Sequence, residues 1–375
     1  VSGGAAKSEY FAGLDLLRFA AAMLVVADHF GLYAWAYPSA TGPARDAAFG
    51  FLAPMTAIGS IGVEIFFLIS GFVISASAVG STAADFAFRR AIRVFPGLWV
   101  SGLIAAVAIL STGAPFASVA ADYARYAVLS PVGPYIDGVV WTLVVEAMFY
   151  ALIFVILWRG GTDAFGRAAK VLGALSMAYL IVLLTAEAAS SGNPTAAHAA
   201  STLGRFPFKV FLLRHGVFFA VGMLIWRGFD RGFARADRGW IAVLLAFCSL
   251  EICIDRPGIA ANIVALALWW GSLGVLLLSV ARSGWIARYP RRVPLIRSLG
   301  RLSYPVYLNH YTLGLVVVPA LAVLGWPRPL VFVVALSIVL AVSYLVMAYP
   351  ERALQAALKT AMRRRRKREV AATMR

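Results

Sequence analysis

Residues 57–79, AIGSIGVEIFFLISGFVISASAV, are followed directly by residues 80–95, GSTAADFAFRRAIRVF. In the first stretch Glu64 is the lone Asp, Glu, Lys or Arg. The run has the roughly twenty-residue length that a helix needs to cross the hydrocarbon of a bilayer. The second stretch brings Arg89, Arg90 and Arg93 immediately after it. An apolar span closed by a basic connection is the repeating unit of a polytopic membrane protein, whose cytoplasmic loops retain Lys and Arg.

That unit recurs along the chain. Apolar runs near 13–33, 57–79, 96–114, 139–158, 168–188, 208–226, 239–255, 258–281, 302–324 and 329–349 predict an all-α bundle of about ten transmembrane helices. The connections 80–95, 159–170, 227–238 and 282–301 carry three, three, four and six basic residues, and the tail from 351 carries nine. The alternate connections carry one arginine each: Arg45, Arg125, Arg205, Arg256 and Arg328. The asymmetry puts both termini on the cytoplasmic side and implies an even number of spans. Residues 1–350 read as one membrane domain and 351–375 as a basic cytoplasmic tail. The first run contains Arg18 and His29 and leads to no small-residue cleavage site, so it reads as a span and not as a signal peptide.

Composition agrees. Hydrophobic residues make up 61% of the 375 positions, 14% are charged, and mean hydropathy is +0.82. The net charge of +17 lies between apolar runs, not on one face of a soluble domain, which argues for a topology signal and against nucleic acid. Cys248 and Cys253 lie in one apolar run with neither a disulfide framework nor metal-ligand spacing, so no metal is expected.

Ionisable residues retained inside apolar runs are site candidates because lipid makes them costly. Arg18 and His29, eleven residues apart, project from one face of the first helix, roughly 16 Å apart along its axis. Arg18 falls toward the inner leaflet, where it also has Asp15 within reach, and His29 falls toward the outer. Glu64 on the second helix and Glu146 on the fourth reach a depth similar to that of His29, and Arg214 and His215 enter the sixth helix from the same side. That placement predicts an outward-open polar cavity able to gather these side chains. A structural ion-pair network is the alternative. In 80–95 the spacing is helical: Phe88, Ile92 and Phe95 form an apolar face that lies against the membrane, and Arg90 and Arg93 form a basic ridge beside it. Guanidinium forks in such a pair suit phosphate oxygens, although ordinary positive-inside charge gives the same composition.

An ordered set of motifs runs along the chain: Arg18 and His29; Gly62 to Phe72 with its Phe66-Phe67 and Ser70-Gly71-Phe72; Arg90, Arg93 and Pro96; Trp141 to Glu146 with Phe149 and Tyr150; and Ser303, Tyr304, Pro305, Tyr307, Leu308 and His310. The set resembles acyltransferase family 3, integral membrane acyltransferases that modify hydroxyls, mostly on carbohydrates. The resemblance implies a ten-helix core in the bacterial cytoplasmic membrane, acetyl-coenzyme A or another acyl-coenzyme A as donor, and transfer to a carbohydrate or glycosylated acceptor at the outer face. In that frame Arg18, Arg90, Arg93 and His310 hold the donor. His29 acts as general base, oriented by Glu64 or Glu146, and Trp141, Tyr150, Arg214 and His215 line the substrate cavity. The ionisable residues alone also fit a secondary transporter or flippase for an anionic or glycosylated substrate, although no inverted repeat or paired broken helices are evident.

Overall fold

The computed structural model describes residues 11–32, 49–254, 256, 258–282 and 292–373. The connection 34–56 between the first two apolar runs and the basic connection 282–301 fall partly outside the described residues. The described residues form helices α1 (Ala12–Leu32), α2 (Ile61–Ala78), α3 (Ala83–Leu110), α4 (Phe116–Ala127), α5 (Trp141–Arg159), α6 (Phe165–Ala188) and α7 (Pro194–Leu203). They continue through α8 (Phe206–Val210), α9 (Gly216–Arg231), α10 (Arg235–Ile254), α11 (Ile259–Ala281), α12 (Val293–Ala322), α13 (Arg328–Ala348) and α14 (Pro350–Thr373). No strand occurs among the described residues.

Seven of these helices, α2, α3, α5, α6, α11, α12 and α13, are long and apolar enough to cross a membrane. The other three apolar runs fall on α1, α9 and α10, which pack in the same bundle. Of these, α1 carries Asp15, Arg18 and Asp28, and α9 has only 16 residues. Large apolar side chains such as Leu103, Val107, Val171, Leu175, Val182 and Val333 are exposed along the spans. In water they would be a liability; against acyl chains they are the expected outer face.

Close packing depends on glycine. A Cβ on Gly71 of α2 would stand 2.3 Å from the Phe219 carbonyl oxygen, and one on Gly222 of α9 would stand 2.4 Å from that of Leu68. The backbones of α2 and α9 therefore touch, as small residues permit between membrane helices. Gly62 does the same against Ala21 of α1.

Three details differ from the sequence reading. Residues 83–95 do not lie flat as an interfacial helix; they are the first turns of α3, which runs as one 28-residue helix through Pro96. Thr82 caps it, its Oγ1 accepting from the Asp85 N–H at 3.1 Å. The run at 208–226 is not one helix: its first residues close α8, Leu212 adopts φ +62° and breaks the chain direction, and α9 starts only at Gly216. Arg214 and His215 thus sit in the turn before α9. Within the connection 111–140, α4 folds back along α3, where the Trp99 indole donates to the Ala127 carbonyl at 3.0 Å and Tyr126 packs on Gly102.

Candidate functional site

The packing of α1 against α12 brings two histidines together. His29 Nδ1 lies 2.9 Å from His310 Nε2. His310 Nδ1 faces two carbonyls, Tyr307 at 2.8 Å and Val306 at 3.2 Å, and carbonyls only accept. The proton of neutral His310 is therefore on Nδ1, its Nε2 accepts, and His29 Nδ1 must be the donor. This tautomer assignment follows from the hydrogen-bond network. Neutral His29 is left with a lone pair on Nε2, the form a general base needs. The Tyr311 ring packs edge-on to His29 with centroids 4.9 Å apart.

One turn away, Tyr307 and Thr142 place their hydroxyl oxygens 2.7 Å apart, and both reach the Val139 carbonyl, at 3.2 and 3.1 Å. This junction ties the start of α5 to α12. Asp137, buried just ahead of α5, secures it: Oδ1 accepts from Val139 N–H at 3.0 Å, and Oδ2 accepts from Thr312 N–H at 3.2 Å and Thr312 Oγ1 at 2.6 Å.

Two cavities approach this junction. The arginine cavity, about 100 Å³, is lined by Arg18, Arg90, Arg93, Ser70, Glu146 and Tyr150, with Thr142 and Tyr307 also in its wall. Glu146 accepts from Ser70 Oγ at 3.0 Å and from the Tyr150 hydroxyl at 2.6 Å. Arg90 Nη2 donates to Ser77 Oγ at 2.5 Å, its guanidinium lies 5.6 Å from the Phe86 ring centre and 5.9 Å from that of Tyr150, and its buried Nε has no partner. Arg93 lies over Tyr304 and 3.5 Å from Glu351, the acidic residue at the start of α14.

The ion-pair cavity, about 310 Å³, holds Glu64, Trp141, Lys209, Arg214, His215, Glu251 and Arg256. Arg256 Nη2 donates to Glu64 Oε1 at 3.1 Å and to Ser60 Oγ at 2.9 Å. Arg214 Nε donates to Glu251 Oε1 at 3.0 Å, with His215 Nδ1 3.3 Å from the same oxygen. The second oxygens of Glu64 and Glu251 and the Nε of Arg256 are buried without partners. Trp141 stands in the wall with Lys209 5.8 Å from its ring centre. Val63 lines both cavities, and Thr142, in the wall of the first, follows Trp141 of the second.

Each expected site residue now has a place. Arg18, Arg90, Arg93, Glu146 and Tyr150 share the first cavity; Glu64, Trp141, Arg214 and His215 share the second; His29 and His310 form a pair that is not among the lining residues of either, with His310 packed against Tyr307 of the first. Glu64 and Glu146, expected to orient His29, are engaged with Arg256 and with Ser70 and Tyr150. His310, expected toward the inner half among donor-binding residues, is the partner of His29. Glu251, Arg256, Thr142 and Asp137 were not singled out by the sequence. The one signal among them was Glu251, an unexplained carboxylate in an apolar run.

The chain matches the family-3 acyltransferase domain over residues 11–348, nearly all of its membrane region. It belongs to acyltransferase family 3. It is 28% identical over 340 residues to Nodulation protein 10 of Rhizobium leguminosarum bv. viciae, covering 83% of this chain and 84% of that protein. No solved structure matches it. The ionisable residues are therefore those of a membrane acyltransferase, which answers the choice between enzyme and transporter.

Proposed function

We propose that this family-3 acyltransferase transfers an acyl group, acetyl in the simplest case, from acyl-coenzyme A in the arginine cavity to a hydroxyl of a carbohydrate or glycosylated acceptor in the ion-pair cavity. The reading takes ten spans, both termini in the cytoplasm, and a bacterial cytoplasmic membrane. The donor then enters from the cytoplasm and the acceptor from outside. The observation that carries it is the approach of two polar cavities that share Val63 and take the neighbours Trp141 and Thr142 in their respective walls, with Tyr307 of the first packed against His310 of the histidine pair.

The lining residues fit an acyl thioester carried on a phosphorylated arm. Three guanidinium groups face one cavity, and the unmet Nε of Arg90 needs an acceptor such as a phosphate oxygen. Tyr150 and Glu146 then flank the arm. On the acceptor side, unpaired carboxylate oxygens and an unpaired N–H around Trp141 suit hydroxyls, which donate and accept, with an aromatic face for a sugar ring.

The bound donor supplies an acyl carbon activated by sulfur. His29 Nε2 takes the proton of the acceptor hydroxyl as its oxygen bonds to that carbon. His310 Nε2 holds the opposite edge of the imidazole and stabilises the imidazolium that forms. The carbon–sulfur bond breaks, His29 returns its proton to the sulfur, and an ester and a free thiol leave. No net proton is gained or lost.

The test follows label from acetyl-coenzyme A to acceptor in membranes. His29→Ala is expected to lower turnover by about 10²- to 10⁴-fold with little change in donor KM. Arg90→Ala with Arg93→Ala is expected to raise donor KM by roughly 10- to 100-fold with turnover retained. Full activity in His29→Ala removes the base, and an unchanged KM in the arginine variant removes the donor site.

A further inference from the structure

A third depression adjoins the arginine cavity on its lipid side. It is a groove of about 260 Å³ between α3 and α5. Its floor is made of Ala87 and Ala91 on α3 and Ala147 and Ala151 on α5, with Phe95 and Phe154 among its walls. The i,i+4 spacing of each alanine pair puts both on one helix face, so the two helices present small side chains to the slot. Arg90, Val94 and Tyr150 line the groove and the arginine cavity alike. Phe154 and Ala151 are exposed, which opens the groove to the membrane.

The neck of the groove is charged and the rest is apolar. Arg90 stands there between the Phe86 and Tyr150 rings, with Nη2 on Ser77 and a buried, unpartnered Nε. Its neighbour Arg89 is exposed and hydrogen-bonds the Ser77 carbonyl at 3.3 Å and the Ser81 hydroxyl, marking a polar level at the end of α2. From Arg90 the slot continues along Ala91, Val94 and Phe95 toward the bilayer interior. One cation with an unmet N–H, continuous with an apolar trough in a lipid-facing wall, complements an amphiphile with an anionic head and a hydrocarbon tail.

We infer that the groove seats one acyl chain of an anionic phospholipid of the cytoplasmic leaflet, with its phosphate on Arg90, and that this lipid competes with the acyl donor for that arginine. The competition rests on the donor site and orientation proposed above; the lipid seat does not. The membrane's anionic lipid content thereby sets the apparent donor affinity, with turnover at saturating donor unchanged.

The experiment places the purified full chain in nanodiscs of phosphatidylcholine with or without phosphatidylglycerol, using a phosphatidylglycerol with a photoreactive acyl chain as probe. Ala151→Trp and Ala147→Phe fill the slot without touching Arg90. Crosslinks are expected in residues 86–95 and 147–154 of the parent and are reduced about tenfold in Ala151→Trp, the equivalent of about 1.4 kcal/mol. Phosphatidylglycerol is expected to raise donor KM several-fold in the parent and to leave it unchanged in Ala151→Trp, with kcat the same in both. Ala147→Phe repeats the result if tryptophan disturbs folding. Crosslinks elsewhere, or crosslinks indifferent to both fillings, overturn the lipid seat. Crosslinks in the groove with a donor KM that ignores lipid overturn the competition; the donor role of Arg90 stands or falls on the arginine variant above.

Discussion

His29 of α1 and His310 of α12, 281 residues apart in sequence, meet edge to edge with Nδ1 and Nε2 2.9 Å apart, and two carbonyls on the far side of His310 determine which ring carries the shared proton. Donation runs from His29 Nδ1–H to His310 Nε2 and from His310 Nδ1–H to the carbonyls. An aspartate plays the equivalent part in a Ser-His-Asp triad. In the proposed mechanism a neutral imidazole takes that part.

The first prediction concerns that orientation. His310→Ala is expected to lower kcat by about 10²- to 10³-fold while donor KM stays within about twofold. His310→Gln is expected to recover part of the loss, because its amide oxygen accepts the same His29 N–H. Initial rates at varied donor separate the two parameters. Equal activity in all three proteins leaves the histidine pair without a catalytic part, and a KM effect without a kcat effect returns His310 to the donor site.

Glu64 and Arg256 give a second. Both side chains are at most 10% exposed. Removing one member leaves a buried charge, at a cost of about 3–5 kcal/mol, whereas replacing both with apolar residues is close to neutral. Glu64→Gln or Arg256→Met alone is thus expected to lower the thermal midpoint in detergent. The double change Glu64→Leu with Arg256→Met is expected to restore the midpoint and still lack acceptor turnover. A double variant that regains both stability and activity makes the pair purely structural.

A third tests the helix approach. Gly71→Ala and Gly222→Ala each place a methyl against a backbone carbonyl that has no room to withdraw, and each is expected to cost about 1–3 kcal/mol. Gly274→Ala is the control: nothing lies within 4 Å of the added carbon, and a helical Gly to Ala change gains up to ~1 kcal/mol. The ordering of the three thermal midpoints decides. If Gly71→Ala melts with the control, the backbone contact between α2 and α9 carries no stability.

Much of the bundle was legible because lipid imposes a length. Apart from the turn at 211–215, the apolar runs fall largely on helices; Arg18, His29, Glu64 and Glu146 stood out because ionisable groups are rare there, and Arg90 and Arg93 by their helical spacing in a basic connection. The pairing of His310 with His29 was not legible, because α12 begins at Val293, ahead of the apolar run at 302, and carries His310 about 26 Å along its axis to meet α1. Short α4 was left in a connection because its 12 residues cannot span. Arg256 was counted as a loop charge, since its partner Glu64 lies 192 residues away and only the packing of the bundle joins them.

Asp137 carried no signal in the sequence for the same reason, its partner Thr312 lying 175 residues away, and it supports a prediction about pH. Burial pushes its carboxyl from 3.8 up to about 6, against the hydrogen bonds from Thr312 and Val139 that favour the ionised form. A carboxyl with a raised folded value binds its proton more tightly folded than unfolded. Its contribution to stability is therefore full below 3.8 and lost as pH rises through about 6, a difference of at most ~3 kcal/mol. Asp137→Asn cannot titrate and turns an amide N–H toward backbone donors, so it is expected to lower the thermal midpoint by the equivalent of about 1–2 kcal/mol. It is also expected to flatten the decline that the parent shows between about pH 4 and about pH 7. Midpoints of both proteins in detergent across that range make the comparison. If the variant keeps the parent's slope, another group titrates there, and Asp137 is ionised in the fold despite its burial.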